Sequence, residues 1–234
     1  LGRQHFTSNS KYLNLNIGAN FRLMKDLSLD VRYQTERTEE FAQRLYRKNA
    51  DSVTTMINDA TVIQPDGKVL NYIPLGGQIN DIRKDRNAYT LRAQLNYNKL
   101  IGKDHEVQVL AGAEQRRVRN TGTNIYKYGY DEFSLNYKPI DELALSQYIK
   151  NTQALFNQFI LNRREKGFTD FENRFISFYG NAAYTYKRKL TASGSIRMDQ
   201  SNLFGTDPKY QYRPLWSAGL LYVITEDKIS WLDR

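Results

Sequence analysis

Cysteine is absent from the 234 residues, so the chain holds no disulfide and no thiolate metal site. Histidine is nearly absent: His5 and His105 stand far apart with no ligand spacing around either, and neither a metal centre nor a general base is legible. No stretch approaches the roughly 18 consecutive apolar residues that a spanning helix needs, which excludes a bundle of membrane helices. A mean hydropathy of -0.67 agrees. Charge of one sign forms no long block. The 34 Lys and Arg are interspersed with 25 acidic residues, so the net +9 reads as solvated surface, with lipopolysaccharide contact as the lesser reading and no nucleic-acid partner. The Gly76–Gly77 pair lacks the rest of a phosphate-binding motif and reads as a flexible turn. Pro65, Asp66, Gly67 and Lys68 read as the tip of a hairpin. No Met and no signal peptide stand at Leu1, from which we expect a start removed by processing or design.

Alternation is what the sequence has in abundance. From Leu13 the odd positions are Leu13, Leu15, Ile17, Ala19, Phe21 and Leu23, and the even ones are Asn14, Asn16, Gly18, Asn20 and Arg22. Strand side chains point alternately to opposite faces, so this run has one apolar and one polar face. After Met24, Lys25 and Asp26 the pattern resumes with Leu27, Leu29, Val31 and Tyr33, which makes a hairpin. A second hairpin sets Tyr89 to Tyr97 against Val107 to Ala113 around Gly102, Lys103 and Asp104. A third sets Ile176 to Tyr186 against Leu190 to Met198 around Lys187, Arg188 and Lys189, and a seventh strand covers Pro214 to Ile224. Between hairpins the links are predicted to be long: about 50, about 50 and about 14 residues, against roughly 2 to 5 in ordinary hairpin loops. Short turns at one end and long loops at the other are the habit of bacterial outer-membrane barrels, short side periplasmic.

A soluble β-sandwich alternates too, with its apolar face turned inward. Three features favour the membrane. The apolar rows run for five or six alternate positions, enough for the roughly 9 to 11 residues of a tilted crossing. They carry no charge, and their ends often carry Phe, Tyr or Trp, which settle at membrane interfaces. The predicted fold is therefore all-β, an antiparallel transmembrane β-barrel segment of about seven strands with long extracellular loops. Bacterial barrels close with an even number of strands, and an open edge in lipid leaves backbone groups unpaired, so residues 1–234 are expected to be an internal part of a longer barrel.

The stretch from Ser177 to Asp227 resembles the barrel of SusC-like TonB-dependent transporters of Bacteroidetes. In that family a hairpin ending in Arg-x-Asp-Gly-Ser-Ser-x-Phe-Gly precedes an aromatic-Pro-Ser pair and a strand with a spaced glycine. The matching positions are Arg197, Asp199, Ser201, Phe204, Gly205, Tyr210, Pro214 and Gly219, while Gln200, Asn202 and Leu215 depart from the pattern. The resemblance implies a barrel of about 22 strands with an N-terminal plug that these residues do not include. It also implies uptake of oligosaccharides or peptides with a SusD-like surface lipoprotein, TonB coupling through the plug, and surroundings of outer-membrane lipid and lipopolysaccharide.

No catalytic constellation, metal-ligand set or cofactor motif accompanies these residues. Tyr126, Tyr128, Tyr130, Phe133 and Tyr137 fall in the second long link, and Tyr210 and Tyr212 in the third. Rigid aromatic rings with a polar rim suit stacking on sugars or anchoring a partner, and equally suit packing of the loops themselves. Apolar residues between Asp141 and Arg163 fall near helical spacing, which predicts an outer-side helix. Two rival readings remain open: a structural or adhesive barrel without transport, and an outer-membrane enzyme, for which two isolated histidines give little support.

Overall fold

The computed structural model describes residues 3–151, 167–203 and 212–224, with the side chains of 148–151 left aside. In chain order the elements are β1 (Gln4–Met24), β2 (Leu27–Tyr46), α1 (Asp51–Asp59), β3 (Thr61–Ile63), β4 (Val69–Asn71), β5 (Gly77–Ile101), β6 (His105–Tyr130), α2 (Glu142–Asn151), β7 (Gly167–Tyr186), β8 (Leu190–Ser201) and β9 (Pro214–Tyr222). Seven of the strands form one sheet in the order β1-β2-β5-β6-β7-β8-β9, and β3 pairs with β4 in a second, two-stranded sheet. All seven expected strands are present.

Several strands extend well past their apolar rows. β1 starts at Gln4 rather than Leu13, β2 reaches Tyr46, β5 starts at Gly77, and β6 continues to Tyr130. The links expected at about 50 residues therefore shrink to Arg47–Gly76 and Asp131–Lys166. The physical reason is plain: Thr35, Arg37 and Glu39 on one face and Glu36, Thr38 and Glu40 on the other are all polar. Hydrophobic alternation vanishes there although the hydrogen-bonded ladder continues.

The chain divides into two compact units. The first comprises Leu1–Tyr12, Thr38–Asp85 and Asn120–Asp170, the second Leu13–Arg37, Arg86–Arg119 and Phe171–Arg234. The first unit has a conventional interior. Val53, Met56 and Ile57 on α1 bury together with Ala50, Ala60, Ile73, Tyr128 and Leu145. Asp51 in the first turn of α1 complements the helix dipole, and the Ala60 N–H closes the helix onto Met56 and Ile57 carbonyls. The β3–β4 hairpin turns at the expected Pro65–Lys68, where Gly67 takes φ +80° and Asp66 Oδ1 accepts the Lys68 N–H at 3.1 Å. Gly76 and Gly77 prove to be packing residues: a Cβ on Gly76 would lie 2.6 Å from the Gly129 carbonyl carbon, and one on Gly77 2.8 Å from the Tyr46 oxygen.

The second unit is built the other way round. Its buried hydrophobic residues, among those described, are Ala88 and Val118, whereas Leu13, Ile17, Phe21, Leu91, Phe178, Ile196, Trp216 and Leu220 are all exposed. Strand register gathers the part of this surface on β7, β8 and β9 onto one face. Phe178 pairs with Met198, Gly180 with Ile196, Ala182 with Gly194, Tyr184 with Ala192 and Tyr186 with Leu190. The rows continue into β9 through Met198–Pro214, Ile196–Trp216, Gly194–Ala218, Ala192–Leu220 and Leu190–Tyr222. From Ile176 to Tyr186 the row is about 34 Å long at 3.4 Å per residue. With a tilt of about 40° it stands roughly 26 Å high, matching the apolar band of about 25 Å in such barrels. The three tight turns lie along one end. The Asn98 N–H donates to the Asp26 oxygen (2.9 Å), Lys187 to Asp104 (2.6 Å) and Val223 to Lys189 (2.8 Å).

Candidate functional site

Opposite the apolar rows, the second unit presents its polar face. Residues two apart on one strand share that face, and they satisfy one another along the strand. Arg32 Nε donates to Asp30 (2.9 Å), Gln34 to Glu36 (2.8 Å), Gln94 to Asn96 (2.7 Å) and Gln108 to Glu106 (2.7 Å). The resemblance residues Arg197 and Asp199 are one of these pairs: Arg197 Nε meets the two carboxylate oxygens at 3.0 and 2.8 Å, and its Nη2 reaches Ser177 Oγ at 3.3 Å. The Arg-x-Asp spacing thus serves a two-residue ion pair on the polar face.

Tyr179 organises the middle of this face. Its hydroxyl accepts from Arg92 Nε at 2.7 Å and donates to Gln94 Oε1 at 3.1 Å, and Arg92 Nη2 also reaches Gln94 at 2.5 Å. The Arg92 and Arg197 guanidiniums lie 5.3 and 5.9 Å from the ring centroid. Gly112 makes room for the ring: a Cβ there would collide with Tyr179 Cζ. The aromatic ring therefore lies down on the sheet instead of standing away from it. Toward the tight turns the charges give way to a hollow of about 430 Å³ whose polar lining includes Asn96, Asn98, Gln108, Asn181, Ser193, Ser195 and Ser217. Amides and hydroxyls both donate and accept, so this surface suits uncharged polar groups. Sequence reasoning missed Tyr179, Arg92, Gln94 and Gly112. The available signal was one aromatic in an otherwise polar row.

The remaining expected residues are dispersed. Ser201 ends β8, where its Oγ accepts the Leu203 N–H at 3.1 Å. Pro214 opens β9 opposite Met198, and Gly219 faces Ser193, whose Oγ would stand 3.2 Å from an added Cβ. Phe204, Gly205 and Tyr210 lie outside the described residues. Tyr126, Tyr128 and Tyr130 were expected in a loop, and this is corrected: all three belong to β6. Tyr128 is 2% exposed in the core of the first unit, and Tyr126 packs beside it with ring centroids 6.4 Å apart. Beyond Tyr130 the chain turns on Asp131, whose Oδ1 accepts the Phe133 and Ser134 N–H groups at 2.9 and 2.8 Å. These two bonds hold the Asp131 carboxyl below its usual range. Phe133 at 98%, Tyr212 at 65% and Tyr137 at 54% are the expected aromatics left open to solvent. The expected helix is present as α2, with Asp141 Oδ1 capping the Ala144 N–H at 2.9 Å; its extension over 152–163 lies outside the described residues.

Solved structures carry the same architecture. The chain matches the RagAB peptide transporter over 97% of its length at 19% identity and a TM-score of 0.65. It matches the RagAB peptide importer in its closed-closed state at 18% and 0.68, and in its open-open state at 17% and 0.65. The fold is that of outer-membrane β-barrel wall. Apolar rows that would be anomalous on a soluble sheet are thereby explained as the lipid face of the wall, and the Tyr179 face as the side turned from lipid. The chain spans about a fifth of the length of those transporter chains. No family model matches the chain, and no curated protein does.

Proposed function

We propose that this wall belongs to a SusC-like active importer of oligosaccharides or peptides. The observation that carries the reading is the match of nearly the whole chain to the RagAB peptide transporter, and the Arg197-to-Gly219 resemblance points the same way. On this reading the tight turns face the periplasm and the long links face outward, because outer-membrane barrels keep short turns on the periplasmic side. A SusD-like lipoprotein would meet the outer surface, to which the exposed Phe133 of the first unit belongs on this reading. Lipopolysaccharide would meet the apolar band's outer margin, where Glu172 holds both Arg117 and Arg174. The neutral amide and hydroxyl hollow suits a polar plug or a passing polar solute, and TonB would act through the plug.

Deleting the gene that carries this chain is expected to abolish growth on a defined class of peptide or oligosaccharide, and affinity purification of the intact protein to recover a surface lipoprotein. Unchanged uptake of every peptide and glycan tested, with no lipoprotein recovered, would sink the importer reading and leave a structural barrel.

A further inference from the structure

The third tight turn is conformationally expensive. Its Lys189 N–H closes onto the Tyr186 carbonyl at 3.0 Å, and its two central residues, Lys187 and Arg188, both have positive φ, 49° and 57°. Positive φ at both centres is the type I′ arrangement, where asparagine and glycine are the favoured residues and long L side chains are strained. Strain retained at a surface turn asks for a use. Both residues are cations, and the neighbouring turns supply more: Lys25 in the first, Lys103 in the second, and Lys99 just before it, all exposed. The turns themselves contain two acidic residues, Asp26 and Asp104. Backbone hydrogen bonds from Lys187 to Asp104 and from Asn98 to Asp26 align the turns, so cations scattered along the sequence share one rim.

This rim borders the lipid face directly. Lys187 Nζ lies 5.3 Å from the centroid of the Tyr186 ring. His105 stacks between Tyr184 and Tyr186, with centroids 5.9 and 5.1 Å away and its Nδ1 2.5 Å from the Tyr184 hydroxyl. Tyr184 and Tyr186 close the apolar row, so they mark the level at which hydrocarbon gives way to headgroups. Ammonium and guanidinium groups just beyond an aromatic belt stand at the depth of lipid phosphates.

We propose that the tight-turn rim, Lys25, Lys99, Lys103, Lys187 and Arg188, is a docking site for the phosphates of anionic phospholipids in the adjoining leaflet. The inference rests on the membrane-wall reading of the sheet and adds a headgroup preference to it. Each cation close to an anionic surface strengthens the attraction about fivefold. The rim therefore fixes the height of the wall in the bilayer as well as selecting lipid.

The test uses the intact outer-membrane protein reconstituted in bilayers of phosphatidylcholine with a minority of phosphatidylglycerol. The paired change Lys187→Asn with Arg188→Gly is the informative variant, because it installs the residues the turn prefers and leaves folding intact. We expect phosphatidylglycerol to be enriched around the native protein, the enrichment to weaken as salt rises, and the variant, which lacks two cations, to lose about 25-fold of it while resisting alkaline extraction as the native protein does. Equal retention of the two lipids by the native protein, or full enrichment by the variant, overturns the proposal. Failure of the native protein to resist alkaline extraction overturns the membrane wall itself, so the two failures are distinguishable.

Discussion

Ala182 and Ala183 are adjacent in sequence and opposite in solvent, and placing an arginine at each tests the assignment of faces. Ala182 pairs with Gly194 in the apolar rows and Ala183 with Ser193 in the polar ones. Ala182 lies four residues from Tyr186, about 10 Å in height from that end of a band roughly 26 Å tall, and so close to mid-membrane. An arginine on the lipid face at that depth costs about 2–4 kcal/mol, a factor of roughly 30 to 900 in the folding equilibrium. Facing the watered side, Ala183→Arg should stay within about 1 kcal/mol, as surface substitutions usually do. Tyr186→Arg, at the margin, should cost about 0–1 kcal/mol. The fraction of intact protein folded into vesicles across a denaturant series measures all three. If Ala183→Arg proves as damaging as Ala182→Arg, or more so, the apolar rows do not face lipid and the wall assignment fails.

Two further expectations concern the first unit. Replacing Tyr128, which is 2% exposed in its core, by alanine should cost about 3–5 kcal/mol by cavity formation; limited proteolysis should then cut between residues 47 and 76 while the membrane wall stays folded. The lowered Asp131 pKa fixes a pH window. A carboxyl depressed in the folded state contributes stability that is fully present above the ordinary carboxylate range and lost as pH falls through its lowered value. Amide exchange at Phe133 and Ser134 should therefore stay protected near neutrality and be released only in acid, and Asp131→Ala should abolish that pH dependence.

The strands and three tight turns of the second unit were legible because lipid imposes a strict demand: alternate residues must be apolar and uncharged. Leu13 to Leu23 satisfies it, and so does Ile176 to Tyr186. From Thr35 to Glu40 the demand lapses, both faces are polar, and the ladder left no periodic trace. Tyr126, Tyr128 and Tyr130 were expected in a loop because the polar run from Arg119 to Asn124 hid the continuation of β6. At the candidate site the Arg197–Asp199 pair was visible as spacing on one strand. The Tyr179 cluster was not, because Arg92, Gly112 and Tyr179 come from three strands whose register no local pattern encodes. Cation clustering at the turns was hidden likewise: Lys25, Lys103 and Lys187 are far apart along the chain and meet through the order of the sheet.

Among its described residues the second unit keeps almost nothing apolar inside itself, and that inverts the usual relation between folding and solvent. A protein with a private interior can reach its native state in water and move afterwards. Here the sticky surface is the outside, so water offers those rows no favourable compact form, only association with one another. Assembly and membrane entry must be a single event, and until it happens the chain depends on being kept apart from its own kind.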